Sequence, residues 1–354
     1  MNKIINILKK KSIPLDRFID ISLYDKKSGY YMKKNPFGKN GDYITSPLVS
    51  NLFGEMIAIW CISFWEYLGK PKKFFLVELG PGNGSLCLDL LKIFNNFNSF
   101  NNCLHIKLLE KSNTLKKIQK KKINSKKVKW IKKLSELKNG PIIFIANEFF
   151  DALPIKQLYK NKKSFFERYV ALKKDTKKIG FVNKKAKKKL IKDIKKLNLV
   201  SNGNIIEYPY EALKYLELIS KKIKKYQGGL LIFDYGFIQN KNKNTLQAIK
   251  NHKYQNIFFD PGNADITSHI NYSLFTKVLK KNNLNVKNIV TQSEFLQRLG
   301  IMERANIVSK NISFKAKADM FFRLKKLLHH KEMGAIFKVM FAQEKKLQFN
   351  LGFK

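Results

Sequence analysis

The sequence predicts an α/β fold with a mostly parallel sheet and helices on both of its faces. Short apolar runs typical of buried strands alternate with helical patterns between residues 74 and 150. This alternation favours parallel strands joined by right-handed helical crossovers. The chain has 354 residues and is 44% hydrophobic, which is enough for a large core. Active sites in such folds lie at the carboxyl ends of the strands.

The elements follow in order along the chain. The predicted strands are FFLVEL (74–79), LHIKLLE (104–110), VKWI (128–131), PIIFIANEFF (141–150) and GLLIFDYG (229–236), with helices SLCLDLLKIF (85–94) and SNTLKKIQKKK (112–122) between them. We expect residues 71–354 to form the main domain, with a hairpin and a Lys-rich helix inserted at about 159–205. The polar stretch 238–256 reads as a loop, and a later helix and the strand LNVKNIV complete the sheet.

The first 70 residues are predicted to form a separate N-terminal helical and lid segment. Residues 1–35 read as a helix and a tyrosine-rich turn, ISLYDKKSGYYM. Gly38, Gly41 and Pro47 indicate a loop, and apolar positions from Ser50 onward have helical spacing.

The composition is strongly basic, with 70 Lys and Arg against 26 Asp and Glu, a net charge of +44. Five of the 70 bases are Arg, although Arg is the better bidentate phosphate ligand. We therefore interpret the charge mainly as a solvated Lys surface and do not expect nucleic acid as a partner. Three cysteines without C-x-x-C spacing favour neither a metal site nor disulfides. No apolar run is long enough for a membrane span and no leader is evident, so we expect a cytoplasmic protein.

The run LVELGPGNGS places an acid, Glu78, before three alternating glycines, Gly80, Gly82 and Gly84. A dinucleotide fingerprint needs G-x-G-x-x-G, and here the third glycine comes one residue early. Glu78 would also repel a phosphate. The pattern instead suits S-adenosylmethionine, because the glycines admit a ligand close to the backbone and Glu78 can accept a hydrogen bond from its ammonium group.

A second acid, Glu110, ends the next predicted strand. A carboxylate at this place suits the two ribose hydroxyls of the cofactor. Taken singly, Glu78 and Glu110 could be ordinary acids at strand ends. Their positions after successive strands, around one glycine loop, favour the cofactor site.

Several segments resemble one family closely. They are GDYITSPLVSNLFGE (41–55), LVELGPGNGS (76–85), IANEFFDALP (145–154), LIFDYG (231–236), PGNADITSHI (261–270), FLQRLGI (295–301) and EMGAIFKV (332–339). They look like the MidA family of S-adenosylmethionine-dependent methyltransferases, whose mitochondrial members are complex I assembly proteins that methylate arginine. The resemblance implies a class I, Rossmann-like methyltransferase fold and a protein arginine acceptor on a respiratory NADH dehydrogenase subunit.

A charged guanidinium is a poor nucleophile, so carboxylates must hold it and one must accept its proton. Candidates follow the predicted strands. Glu148 and Asp151 are the first choices, and Glu207 and Asp265 the next. His269 would lie one helical turn beyond Asp265 if that stretch were helical.

Three further residues are candidates for cofactor binding. Asn147 follows the fourth predicted strand, although it or Asp151 could instead cap a helix. Asp42 and Thr45, in NGDYITSP (40–47), are predicted to close over the cofactor, with a strand that merely covers the sheet edge as the alternative.

Three other functions remain open. A cofactor-binding assembly scaffold without turnover would keep the glycine loop, and an RNA methyltransferase would use the +44 charge. A nicotinamide oxidoreductase is least favoured, because the third glycine is displaced.

Overall fold

The chain forms two compact units that alternate along the sequence. The computed structural model describes residues 3–38, 41–137, 140–173, 176–200, 205–238 and 244–353. Unit 1 comprises Met1–Tyr43, Phe150–Tyr215 and Phe237–Phe275, and unit 2 comprises Ile44–Phe149, Leu216–Gly236 and Thr276–Lys354.

The described helices and strands are as follows. The helices are α1 Lys3–Lys10, α2 Leu15–Tyr24, α3 Tyr30–Lys33, α4 Ser46–Val49, α5 Asn51–Tyr67, α6 Ser85–Phe94, α7 Asn98–Cys103, α8 Asn113–Lys122, α9 Lys188–Lys196, α10 Tyr210–Tyr226, α11 Tyr272–Lys281, α12 Gln292–Arg298, α13 Ile301–Ser309, α14 Phe314–Leu328 and α15 Met333–Ile336. The strands are β1 Ile13–Pro14, β2 Phe74–Leu79, β3 Leu104–Leu109, β4 Val128–Ile131, β5 Ile142–Asn147, β6 Lys156–Asn161, β7 Ser164–Leu172, β8 Ile179–Lys185, β9 Ile205–Tyr208, β10 Gly228–Phe237, β11 Gln247–Lys250, β12 Lys253–Gln255, β13 Asp265–Thr267, β14 Ile270–Asn271, β15 Leu284–Val286, β16 Val290–Thr291 and β17 Phe337–Glu344.

Unit 2 is built around a mostly parallel sheet in the order β15-β17-β10-β5-β2-β3-β4. The pairs from β10 to β4 are parallel, and β17 lies antiparallel to β10, β15 and β16. Every residue of β2 is buried, although successive side chains point to opposite faces, so both faces of the sheet are covered. The predicted α/β fold is therefore confirmed.

Two details of this sheet differ from the prediction. The fourth predicted strand ends at Asn147 and not at Phe150, because Glu148 takes a left-handed backbone conformation with φ of 50°. The strand β17 was not predicted at all. Its run FKVMFAQE is buried, and it completes the sheet by pairing along seven residues of β10.

Unit 1 is smaller and contains two sheets. Within each sheet, the neighbouring strands pair antiparallel. One sheet has the order β1-β7-β6-β9, with β8 beside β7, and the other has the order β12-β11-β13. Residues of α1 and α2 pack with Val170, Ala248 and Ile266 in its core. The inserted region is thus wider than the predicted 159–205. The loop predicted for 238–256 is wrong where it is described, because β11 and β12 form a hairpin there; residues 239–243 lie outside the described chain.

The N-terminal 70 residues divide between the units, which differs from the predicted separate segment. Residues 1–43 belong to unit 1, and the chain from Ile44 onward belongs to unit 2. The physical reason is α5, which is apolar on most of its surface and contributes Phe53, Trp60 and Phe64 to the core of unit 2. A helix of this kind has to be surrounded by other elements.

Candidate cofactor site and buried acid cluster

The glycine turn after β2 has a backbone that other residues would not tolerate. Gly80, Gly82 and Gly84 have φ values of 62°, 54° and 79°. A Cβ on Gly80 would lie 2.8 Å from Cδ2 of Phe149, and one on Gly84 would lie 2.9 Å from Cδ1 of Ile123. The turn therefore needs glycine for conformation and for space.

Helix α6 begins directly after this turn. The Asn83 Oδ1 atom accepts hydrogen bonds from the Ser85 backbone N–H at 3.1 Å and from its hydroxyl at 2.7 Å. Lys122 Nζ donates to the Ser85 hydroxyl oxygen at 2.6 Å. The positive end of the α6 dipole thus lies at the turn, where it favours an anionic ligand group.

Glu78 is the penultimate residue of β2, and its side chain is buried. Among the described residues, its Oε2 atom has no hydrogen-bond partner. Burial, and then repulsion from Glu110, raises the pKa of Glu78 to about 8. A buried acceptor in this state is stabilised by a ligand that donates a hydrogen bond or carries positive charge.

Glu110 follows β3 and is also buried. Its Oε1 atom accepts from the Ser112 backbone N–H at 2.7 Å, and its Oε2 atom accepts from Gln119 Nε2 at 3.0 Å. Burial raises the pKa of this carboxyl group. The Lys111 backbone N–H also donates to this carboxyl group. A carboxylate has about four acceptor positions, so Glu110 retains capacity for a hydroxyl donor.

Gln119 connects these parts, and the sequence analysis missed it. Its Nε2 atom donates to the Gly82 carbonyl at 2.7 Å and to Glu110, and its Oε1 atom accepts from the Trp130 indole at 2.7 Å. Gln119 is fully buried although α8 is Lys-rich. The available signal was the spacing of four residues that places Gln119 on the same helix face as the apolar Leu115.

The carboxyl end of β5, which is next to β2, carries Asn147 and Glu148. Asn147 Oδ1 is buried and has no hydrogen-bond partner among the described residues. Its Nδ2 atom donates to Glu148 Oε1 at 3.2 Å, and the Glu148 backbone N–H donates to the Phe233 carbonyl at 2.9 Å. The positive φ of Glu148 ends β5 and turns the chain at the carboxyl end of the sheet.

Unit 1 contains a second cluster, in which Asp265 of β13 is joined to tyrosines of the N-terminal segment. The Tyr31 hydroxyl donates to Asp265 Oδ1 at 2.7 Å, and the Tyr43 hydroxyl oxygen lies 3.2 Å from that of Tyr31. Burial, and then repulsion from Asp151, raises the pKa of Asp265 to about 8. Asp151 is buried too, and its carbonyl accepts from the Ser268 backbone N–H at 3.0 Å. We call Asp265, Asp151, Tyr31 and Tyr43 the buried acid cluster.

Asp42 also lies in unit 1, where its carboxylate accepts hydrogen bonds from three neighbouring residues. Its Oδ2 atom accepts from the Tyr30 hydroxyl at 2.7 Å and from Lys34 Nζ at 2.9 Å, and its Oδ1 atom accepts from the Asn251 backbone N–H at 2.9 Å. These bonds lower the pKa of Asp42 in spite of burial, the largest influence, which raises it. The predicted lid is thus divided, because Thr45 belongs to unit 2, where its carbonyl accepts from the N–H groups of Leu48 and Val49. Asn40 of that segment lies outside the described residues.

Glu207 is held by other polar groups of unit 1. Its carboxylate accepts from the Thr245 N–H at 2.9 Å, from the Thr245 hydroxyl at 2.6 Å and from Gln157 Nε2 at 2.8 Å. This geometry joins β9 to the segment before β11. The helical spacing suggested for His269 is wrong, because Asp265 starts a strand.

The family is decided by sequence comparison. The sequence model of a family described as S-adenosyl-L-methionine-dependent methyltransferase matches residues 56–290. The chain belongs to this methyltransferase family. The match spans the glycine turn, Glu78, Glu110 and the end of β5. The cofactor of this methyltransferase is S-adenosylmethionine, as the sequence predicted, and the resemblance to the MidA family is confirmed.

Curated relatives cover nearly the whole methyltransferase. Protein arginine methyltransferase NDUFAF7, mitochondrial, of Xenopus laevis is 30% identical over 94% of this chain and 82% of its own length. The human protein of the same name is 28% identical over 87% of this chain and 75% of its own.

A solved structure has the same fold. A methyltransferase-like protein from Burkholderia thailandensis, crystallised with S-adenosyl-homocysteine, has a TM-score of 0.80 and 21% identity over 96% of this chain and 90% of its own. The class I methyltransferase fold predicted for the chain is thereby confirmed.

The residues of unit 2 fit the cofactor. Glu78 Oε2 and Asn147 Oδ1 are buried acceptors at the ends of adjacent strands, and neither has a hydrogen-bond partner in the part of the chain that the structure describes. An ammonium group and hydroxyls are the donors that such acceptors need, and Glu110 has capacity for the ribose. The bare turn at Gly80–Gly84 supplies the close backbone approach, so this methyltransferase would hold the cofactor along these strand ends.

Proposed function

We propose that this methyltransferase modifies arginine side chains of a protein, and that the acceptor is a subunit of the respiratory NADH dehydrogenase. Curated relatives that match 87–94% of the chain are named protein arginine methyltransferases. The subunit is proposed from the MidA resemblance. The cytoplasmic location stays a prediction.

The observation that carries the proposal is the buried carboxyl pair, Asp265 and Asp151. Two acids that repel each other in a buried place cost free energy, and a bound cation removes this cost. A guanidinium is permanently charged and planar and offers five N–H donors, which match two carboxylates. We propose that this pair binds a cationic side chain of the protein substrate.

Glu148 is proposed as the group that accepts the proton released from the guanidinium nitrogen. It lies in the same unit as the glycine turn, at the carboxyl end of β5, and its Oε1 atom accepts a hydrogen bond from Asn147 Nδ2 at 3.2 Å. S-adenosylmethionine supplies the electrophilic methyl group. An arginine nitrogen becomes nucleophilic once its proton has an acceptor, and general-base help of this kind contributes about 10²–10⁴-fold.

Tyr31 and Tyr43 are proposed to position the carboxylate of Asp265. The Tyr31 hydroxyl donates to Asp265 Oδ1, and the Tyr43 hydroxyl oxygen lies within hydrogen-bond distance of that of Tyr31. These contacts, together with a hydrogen bond from the Ile266 backbone N–H, hold the Asp265 carboxylate in position.

The test combines Glu148→Gln with methyl proteomics. Cells lacking the gene are complemented with the wild type or with Glu148→Gln, and methylarginine is measured on NADH dehydrogenase subunits. We expect the mark to return with the wild type and to stay about 100-fold lower or more with Glu148→Gln. The control is Glu303→Gln, which removes an exposed acid of α13 and should restore the mark fully.

Other outcomes would contradict the proposal. If Glu148→Gln restores assembly of the complex as well as the wild type and no methylarginine depends on the gene, the protein is a scaffold. If the purified protein transfers labelled methyl groups to RNA and not to protein, the acceptor assignment is wrong. Cofactor affinity measured by calorimetry should stay within about twofold in Glu148→Gln, because the residue is assigned to the acceptor step.

A further inference from the structure

The connection between α13 and α14 in unit 2 exposes large apolar side chains. Every residue from Lys310 to Asp319 is exposed. Phe314 is 88% exposed, Phe322 72%, Ile307 57% and Ile312 36%. Contiguous exposure of this kind indicates an interaction surface, whereas single exposed apolar residues are ordinary. We call residues 307–326 the basic aromatic tip.

Helix α14 has one buried face and one exposed face. Leu324 and Leu327 are buried and hold its C-terminal half in the core of unit 2. Phe314, Ala318 and Phe322 are spaced by four residues, so they form one stripe along the opposite, exposed side. The aromatic side chains therefore point away from the core that anchors the helix.

The charged side chains of the tip are mostly positive. Between residues 307 and 326 there are six bases, Lys310, Lys315, Lys317, Arg323, Lys325 and Lys326, and one acid. That acid, Asp319, is paired with Arg323 at 2.7 Å. Lys315, Lys317 and Lys325 are exposed beside the stripe, so cationic groups surround the two phenylalanines.

We propose that the basic aromatic tip docks this protein on the surface of an anionic lipid bilayer. Aromatic and aliphatic side chains enter the boundary between headgroups and acyl chains, while surrounding Lys side chains contact acidic headgroups. A second copy of the chain would bring the same positive charge to the surface, which disfavours self-association there. Among the described residues, no helix is both long and apolar enough to cross a bilayer, so the attachment is peripheral.

The test is flotation of the full chain with vesicles. One set contains about 30% phosphatidylglycerol in phosphatidylcholine, and the other is pure phosphatidylcholine. We expect the wild type to bind the vesicles that contain phosphatidylglycerol, and this binding should weaken as salt is added. The double variant F314S/F322S should bind these vesicles at least about tenfold more weakly than the wild type. The matched control is F259S/Y254S, which removes two aromatic residues of unit 1 that are 64% and 76% exposed.

Two further measurements separate insertion from simple charge attraction. The double variant K315E/K317E should lose anionic binding, whereas K188E/K192E, which changes two exposed lysines of α9 at helical spacing, should keep most of it. Tryptophan fluorescence of F314W should be quenched by brominated lipid more than that of the wild type. Circular dichroism should show that all variants remain folded, because the changed residues are exposed.

Clear outcomes would overturn the proposal. They are wild-type protein that does not float with anionic vesicles, or F314S/F322S that floats as well as F259S/Y254S. A concentration-dependent dimer that F314S/F322S abolishes, without vesicle binding, would assign the tip to a second copy instead. Methyl transfer is not needed for any of these measurements, so their result does not depend on the proposed function.

Discussion

The cofactor strand ends of unit 2 and the buried acid cluster of unit 1 are assembled in different ways. In unit 2, Glu78, the three glycines, Glu110 and Gln119 lie within 42 consecutive residues. In unit 1, Tyr31 and Asp265 are 234 residues apart and still share a hydrogen bond. A site made from one βαβ segment leaves a local pattern in the sequence, and a site made by long-range packing does not.

The two regions also treat a buried acid differently. Glu78 and Asp265 both have a pKa raised to about 8, mainly by burial. Glu78 keeps an oxygen without a partner among the described residues, whereas Asp265 already accepts from Tyr31. We infer that unit 2 is arranged to receive a donor from its cofactor and that unit 1 has fixed its acid in advance.

The largest expected effect is the loss of cofactor affinity when a glycine of the turn after β2 is replaced. In Gly80→Ala, the new Cβ would lie 2.8 Å from Cδ2 of Phe149, so the turn or the Phe149 ring must shift. We expect cofactor affinity to fall about 100-fold or more, because a displacement near 1 Å at a site costs about this much. The measurement is calorimetric titration with S-adenosylhomocysteine. Gly69→Ala is the control, since Gly69 also has positive φ but has nothing within 4 Å of its Cβ position. Equal losses in both variants would contradict the assignment.

The next prediction asks whether the two regions act independently. Asp265→Asn removes the titratable carboxyl group from the acid cluster and keeps the shape of the side chain. We expect kcat/KM for the protein acceptor to fall about 10–100-fold, the usual worth of a hydrogen bond to a charged group. Cofactor affinity should stay within about twofold, because the cofactor residues lie in unit 2. A loss of cofactor affinity with unchanged acceptor turnover would contradict the assignment of Asp265 to the protein substrate.

Glu78→Gln tests the unpaired acid through stability. The folded-state pKa of Glu78 is raised to about 8 from an ordinary value of 4.5. Between these values the folded protein keeps a proton that the unfolded chain has lost, so this residue lowers stability progressively as pH rises. We expect Glu78→Gln to be more stable than the wild type by about 2–4 kcal/mol at pH 8 and nearly equal at pH 4.5. Urea unfolding at both pH values measures it. Glu303→Gln should show the wild-type slope, and the same slope for Glu78→Gln would refute the prediction.

The smallest expected effect concerns the tyrosine chain. Tyr43→Phe removes one neutral hydrogen bond to Tyr31, so we expect a loss of about 0.5–1.5 kcal/mol in the free energy of unfolding. The pH profile of methyl transfer should also move, because the hydrogen bond that Tyr31 donates to Asp265 is weakened. Tyr254→Phe, at a residue that is 76% exposed, should change neither. An unchanged pH profile in Tyr43→Phe would leave Tyr43 with a packing role alone.

Much of unit 2 could be predicted because its elements are local. The strands β2, β3 and β4 and the helices α6 and α8 follow from runs of buried residues and from turn residues between them. The strand β17 could not be predicted this way, since its run FKVMFAQE becomes a strand through pairing with β10, about 100 residues earlier. Glu207 was a candidate catalytic acid as the one acid of the run IIEYPY, and only its bonds to Thr245 and Gln157 reveal how firmly it is held.

The sequence by itself determined the fold class, the glycine turn and the nature of the cofactor. These depend on interactions within one strand, turn and helix, where the backbone geometry and the hydrogen-bonding capacity of each residue type leave few choices. The tertiary structure decided that the tyrosine-rich turn supports Asp265, that Gln119 joins the glycine turn to Glu110, and that the N-terminal 70 residues divide between two units. Each of these depends on which distant segments are buried together, and burial of side chains far apart in the chain leaves no periodic trace in the sequence.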